Sequence, residues 1–260
     1  MRRVHLFEIE DQTWCPSWLR DHMTDFLSWF FITFKVYNPV APLLHRLLKL
    51  GRTNRILDLC SGGCGPWPEL MAALARLDTH PVLTLSDLYP NVPAFRATAE
   101  RSPGRVEFVD EPLDATQVPP EREGLRTLFT SFHHFPPQLA RKVLASAAEA
   151  GRPIAVVECV ERQWYNLLLV PPGAVLLSLI SVFFVRPFSP SRWWWTFAIP
   201  LVPLTVAWDG IASILRAYRP EELLELAPPT AGYRWEAGML PARLPVRITY
   251  LIGWPVAEGA

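Results

Sequence analysis

The chain is poor in cysteine and carries no net charge. Its four cysteines, Cys15, Cys60, Cys64 and Cys159, show no paired framework, which excludes a disulfide scaffold. Cys60 and Cys64 also lack the two further ligands at matching spacing that a zinc site needs, so no metal is expected. The 25 basic and 25 acidic residues cancel, which removes the global field that draws proteins to nucleic acid or to an anionic membrane. Arg2 and Arg3 are followed by Glu8, Glu10 and Asp11 where a signal peptide would carry its apolar core. The expected location is therefore the cytoplasm.

Half of the 260 residues are hydrophobic, enough to bury a large core in one α/β domain with additions. The most informative stretch is Asp58-Leu59-Cys60-Ser61-Gly62-Gly63-Cys64-Gly65. It follows the apolar run Arg55 to Leu57 and precedes a helical pattern. A strand that ends in an acid and turns through glycines brings bare backbone close to a small ligand. Pro81 to Asp87 reads as a second strand ending in an acid, where a carboxylate can accept from ribose hydroxyls. Arg105 to Val109, Arg126 to Phe132 and Arg152 to Val160 read as further strands, with Asp114 and Ala115 in a loop and a helix over Pro136 to Ala150. Strands alternating with helices predict a parallel sheet covered on both faces.

These residues, in this order, resemble the class I S-adenosylmethionine-dependent methyltransferase superfamily, and the chain is similar to a bacterial subgroup of it. Cys64 interrupts the glycine spacing. A dinucleotide-dependent dehydrogenase would want its Gly-x-Gly-x-x-Gly turn without the leading acid. The resemblance implies a Rossmann-like, seven-stranded, mostly parallel sheet closed by an antiparallel C-terminal hairpin, with S-adenosyl-L-methionine as cofactor. It places Ser61, Gly62 and Gly65 at the amino-acid part of the cofactor, Asp87 at the ribose and Asp114 with Ala115 at the adenine, with Asp58, Cys60 and Leu88 also among the cofactor-binding residues. Ser131 and Phe132 would lie near the reacting methyl.

His133 and His134 are candidate general bases, because imidazole is best poised to take a proton near neutral pH; a hydrogen-bonded structural pair is the alternative. Glu158 is the next candidate, or else a cap or a partner of Arg162. Asp209, Arg216 and Tyr218 are candidates for the acceptor pocket, or a polar helix face that pairs Arg with Asp. The fourth strand lacks the Asn/Asp-Pro-Pro-aromatic motif of enzymes that methylate base amino groups. That absence disfavours nucleic acid as a substrate, so no nucleic-acid partner is expected, and O- or C-methylation of a small hydrophobic acceptor is preferred.

Four segments are expected. Residues 1–51 form a helical cap, with one helix over Trp18 to Tyr37 and a second over Leu43 to Leu50 ended by Gly51. Residues 52–165 form the cofactor-binding core. Residues 166–208 form an apolar insertion, uncharged over Asn166 to Val185 and again over Trp193 to Trp208. Pro171, Pro172 and Gly173, then Pro200 and Pro203, should break its helices too short for a span. It is either a lid over an apolar pocket or a monotopic hairpin that would place the chain on the inner face of the membrane. Residues 209–260 carry helices and strands over Tyr233 to Leu240 and Pro245 to Trp254. Two other readings stay open: the same fold with non-methylating chemistry, and a membrane-associated binding protein whose cofactor site has decayed.

Overall fold

The structure, a computed structural model, describes residues 1–242 and 247–256. Seven strands form one sheet: β1 (Arg55–Asp58), β2 (Val82–Leu85), β3 (Val106–Phe108), β4 (Leu125–Phe129), β5 (Ile154–Glu158), β6 (Tyr233–Pro241) and β7 (Arg247–Pro255). Their order is β3-β2-β1-β4-β5-β7-β6. The first five run parallel, and β7 enters antiparallel between β5 and β6. This is the Rossmann-like, mostly parallel seven-stranded sheet with an antiparallel C-terminal hairpin that the resemblance implied. The strand read from Pro245 starts at Arg247, and Pro245 and Val246 lie outside the described residues.

Leu125 to Phe129 and Ile154 to Glu158 are buried throughout, as central parallel strands must be. Helices α1 (Ser17–Phe34), α2 (Ala41–Leu50), α3 (Trp67–Ala75) and α4 (Val92–Arg101) cover one face, through Phe31, Leu44, Trp67, Leu70 and Phe95. On the other face lie α5 (Pro137–Glu149) and, later in the chain, α9 (Pro220–Leu226), through Val143, Leu144 and Leu223. Gly51 does not terminate α2 through a left-handed residue; Arg52 takes the positive φ of 50°.

Three helices make the insertion: α6 (Asn166–Ser181), the short α7 (Pro190–Trp193) and α8 (Leu201–Arg216). The expected break at Pro171-Pro172-Gly173 does not occur, because α6 runs through both prolines. They delete the bonds that the Leu167 and Leu168 carbonyls would accept, and packing along α8 sustains the helix. Pro200 does break the chain: five residues of π-helix, Trp194–Ala198, end there, and Pro203 falls in the first turn of α8. Trp208 and Asp209, on either side of the expected segment boundary, lie together inside α8. Leu19, Met23 and Phe26 of α1 pack with Val202 and Val206 of α8 in a core separate from the sheet.

Residues 3–11 are not helical. They run along α8 as a strap, with the Val4 amide donating to the Leu215 carbonyl at 3.0 Å and the Trp208 indole donating to the Phe7 carbonyl at 3.2 Å.

Candidate active site

The turn after β1 uses left-handed backbone at Cys60, Gly62, Cys64 and Gly65, with φ between 48° and 74°. Only glycine adopts it without strain, so the two cysteines are held there by their surroundings. Cys64 is buried and accepts from the Thr98 hydroxyl at 3.2 Å. At Gly63 a Cβ would meet the Thr24 carbonyl oxygen at 2.6 Å. The bareness of that glycine therefore admits α1. At Gly65 a Cβ would meet nothing within 4 Å, and this is where the turn is open.

Around the turn lies a cavity of about 300 Å³, at the low end of the size of ligand sites. The strands' carboxyl ends supply Asp58, Cys60, Ser61, Gly62, Gly65, Asp87, Leu88, Asp114, Ala115 and Ser131 to its wall, and α1 closes it with Arg20, Thr24, Leu27 and Phe31. Arg20 stacks over the Tyr89 ring at 4.1 Å and donates to the Glu10 carbonyl at 3.0 Å, which fixes α1, strap and β2 loop together.

The three acids are engaged differently. Asp58 accepts from the Thr127 hydroxyl at 2.6 Å and the Ser61 hydroxyl at 2.7 Å. Burial pushes its carboxyl up to about 7 against those bonds. Asp87 accepts from the Gly62 amide at 2.7 Å and the Tyr89 amide at 2.8 Å, so the Gly62 donor is spent on latching the glycine turn to β2. Burial raises the Asp87 carboxyl too, opposed by those two amides. Each of its oxygens keeps a further lone pair for a ligand. Asp114 takes both the amide and the hydroxyl of Thr116 at 2.8 Å, folding its own loop. Ser131 Oγ is buried at the cavity wall without a hydrogen-bond partner among the described residues.

Six expected site residues do not line the cavity: Phe132, His133, Glu158, Asp209, Arg216 and Tyr218. Phe132 packs into the core against Tyr218. Glu158 accepts from the amides of Phe132 and His133 at 2.7 and 3.2 Å and lies 2.7 Å from His133 Nδ1. The reading of Glu158 as a partner of Arg162 is corrected: Arg162 donates to Glu222 at 2.6 Å. Asp209, Arg216 and Tyr218 organise the N-terminus and the turn after β4. Asp209 accepts from the amides of Ile9 and Glu10, at 2.8 and 3.2 Å. Arg216 donates to the Leu6 carbonyl and, at 2.6 Å, to Asp11. Tyr218 donates to the Phe135 carbonyl at 2.8 Å beneath the Arg3 guanidinium.

Of the histidine pair, only His134 reaches the cavity. Its Nδ1 sits 2.8 Å from Asp11 and 2.9 Å from Glu8. Burial opposes its charge, yet those carboxylates hold the imidazole well above its ordinary value. A base must be neutral to take a proton, so beside these two carboxylates His134 is poorly suited to act as the general base. The residues that sequence reasoning missed are Glu8, Glu10 and Asp11, of which Glu10 and Asp11 line the cavity.

No family model matches the chain, and no curated protein matches it. Solved structures do. The chain is similar to the mitomycin 7-O-methyltransferase MmcR (18% identity, TM-score 0.47, 85% of this chain and 53% of that one). It is also similar to the O-methyltransferase NcsB1 from neocarzinostatin biosynthesis, crystallised with S-adenosylmethionine and 2-hydroxy-5-methyl naphthoic acid (18%, 0.46, 79% and 49%). A third is described as a putative zinc-dependent alcohol dehydrogenase from Rhodobacter sphaeroides (14%, 0.48, 90% and 98%). The chain spans about half the length of the first two.

Proposed function

We propose that the chain is an S-adenosyl-L-methionine-dependent methyltransferase that acts on a small hydrophobic acceptor. The observation that carries this reading is the cavity itself, at the carboxyl ends of β1, β2 and β4, with Asp87 latched to Gly62 and an orphaned Ser131 hydroxyl in its wall. The residues present fit the cofactor. Gly65 and Ser61 would border its amino-acid part, the free lone pairs of Asp87 its ribose, and Leu113, Asp114 and Ala115 its adenine. When bound, the cofactor supplies an electrophilic methyl on a cationic sulfur. The chain's part would be alignment and exclusion of water, by Leu27, Phe31, Phe129 and Phe135 in the cavity wall. Calorimetric titration with S-adenosylmethionine and S-adenosylhomocysteine tests the site. Asp87→Ala should weaken both at least tenfold, and an unchanged affinity removes Asp87 from the site. Binding without turnover, across phenolic and quinol acceptors, would favour non-methylating chemistry in the same cavity.

We further propose that the insertion meets a lipid bilayer. Among the described residues no single helix is long and apolar enough to cross one; the pair Pro190–Ala198 and Leu201–Arg216, bent by 75°, passes that test only together. What supports surface docking is that α6 is inside out. Ser178 and Ser181 are buried, while Leu168, Leu169, Leu176 and Ile180 are exposed, followed by Phe183, Phe184 and Phe188. Val170 packs 3.6 Å from where a Cβ at Gly210 would stand. Small residues between helices and large apolar ones outside is the arrangement for a lipid environment, where apolar surface has no reason to hide. Exposed Trp164, Trp193 and Trp194 are interface side chains, and the exposed Arg186 beside the phenylalanines complements lipid phosphates. Flotation with phosphatidylglycerol-containing vesicles should carry the chain up, and Leu169→Glu with Phe184→Glu should abolish it. A chain that stays at the bottom, or that buries this face in a dimer by light scattering, overturns the proposal.

A further inference from the structure

We infer that Glu8, His133 and His134 form a binding site for one divalent transition-metal ion at the wall of the cavity. Their ligand atoms all lie within 4.8 Å of one another. His133 Nε2 is 3.7 Å from Glu8 Oε1, and His134 Nδ1 is 2.9 Å from Glu8 Oε2. Ligand atoms around a four-coordinate ion with bonds near 2.0–2.1 Å stand roughly 3.3 Å apart, so the trio needs only small adjustments to close on one.

The acidic character of the neighbourhood does not carry the inference. The orphaned atom does. His133 is 1% exposed, and its Nε2 has no hydrogen-bond partner among the described residues. Its Nδ1 faces Glu158 Oε2 at 2.7 Å, and the other Glu158 oxygen accepts from the Phe132 and His133 amides. A carboxylate accepts, so Nδ1 carries the bond to Glu158, and Nε2, 3.7 Å from Glu8 Oε1, is the nitrogen that an ion would take. This carboxylate–imidazole pairing is the arrangement that orients metal-bound histidines. Glu8 is fully buried, and its Oε2, although near His134 Nδ1, is out of line for a hydrogen bond. A buried imidazole nitrogen with no hydrogen-bond partner among the described residues thus stands beside a buried carboxylate.

The neighbours are compatible. Ser213 donates to Glu8 Oε1 at 3.1 Å, and Arg216 Nη1 lies 3.3 Å from Glu8 Oε2 and 2.6 Å from Asp11 Oδ2, holding both carboxylates in place. Asp11 Oδ1, 2.8 Å from His134 Nδ1, is the natural fourth ligand once an ion displaces the proton those two atoms share. Two imidazoles with carboxylates select a borderline ion of the zinc and iron class over magnesium or calcium. Because Asp11 and His134 face the cavity, an acceptor hydroxyl there would be within the ion's influence. In that use alone the inference rests on the methyltransferase reading.

The test needs no turnover. The untagged chain, purified without chelator, is analysed by plasma mass spectrometry, then stripped and titrated with Zn²⁺ and Co²⁺. One ion per chain and a visible Co²⁺ absorption band are expected. Glu8→Gln and His133→Ala should each weaken Co²⁺ binding at least tenfold, and Glu158→Gln by about 10–100-fold, with circular dichroism confirming the fold. If the variants do not fold, the Co²⁺ spectrum of the native chain decides. Absence of that band, or equal affinity in well-folded Glu8→Gln and His133→Ala, overturns the site. Either result leaves S-adenosylmethionine binding to be judged separately by calorimetry.

Discussion

Asp209 Oδ1 accepts from the Ile9 amide at 2.8 Å, and through that bond a helix of the insertion decides where Glu8 lies. The second Asp209 oxygen holds the Glu10 amide, so two successive peptide groups of the strap hang on one side chain. Asp209→Ala should cost about 1–3 kcal/mol, the range for buried bonds to a carboxylate. Urea denaturation measures the loss. Hydrogen exchange at Ile9 and Glu10 should accelerate well before the sheet opens, and unchanged exchange there would mean that the strap is held elsewhere.

The glycines of the turn separate packing from binding. Gly63→Ala drives a methyl into the Thr24 carbonyl oxygen, 2.6 Å away, and should lose about 1–3 kcal/mol as α1 is forced off the turn. Gly65→Ala has open space but a φ of 48°, which costs on the order of 1 kcal/mol, and its methyl enters the cavity. The expected outcome is a crossed pattern: Gly63→Ala lowers the melting temperature more, and Gly65→Ala weakens S-adenosylmethionine more.

The contrast between the turn and the strap shows what residue order can carry. Asp58, Asp87 and Asp114 were legible because each ends or follows a strand, and strand order in a parallel sheet places such positions side by side. Glu8 and Asp11 were not, because their partners His134 and Arg216 stand far along the chain, and a short acidic stretch has no periodicity to reveal a fixed position. The ligand trio was hidden for the same reason, since Glu8 stands far along the chain from His133 and His134. Pro171 and Pro172 misled in the opposite direction. A local rule about prolines was overruled by packing on α8, a tertiary effect.

Asp58 makes stability depend on pH. Its carboxyl is pushed up to about 7 by burial, from an ordinary value of 3.8, so the folded chain binds its proton more tightly than the unfolded chain does. That contribution is fully present below 3.8 and is lost progressively as pH rises toward 7, then levels off. Asp58→Asn keeps the shape without the titration. Fluorimetric melting from pH 5 to pH 8 in chelator should show a decline for the native chain that is flatter in the variant. Parallel slopes would remove Asp58 as a source.

Arg192 ties the insertion to α1, with Nη2 2.5 Å from Asp25 Oδ2 and Nη1 3.1 Å from the Pro187 carbonyl. Arg192 is nearly buried, and breaking such a pair strands the remaining charge, at a cost of roughly 3 kcal/mol. Arg192→Met should therefore destabilise strongly, and adding Asp25→Leu should restore part of the loss, because the second change removes the stranded carboxylate. A second readout isolates the charge. His22 is held down to about 4, first by burial and then by the Arg192 guanidinium, and its ring lies 3.3 Å from Ser191 Oγ. Removing Arg192 eliminates only the smaller cause, so the imidazole should titrate higher in Arg192→Met by nuclear magnetic resonance while staying below 6.5. A full return to 6.5 would mean that the insertion had come away from α1 and let water reach the ring.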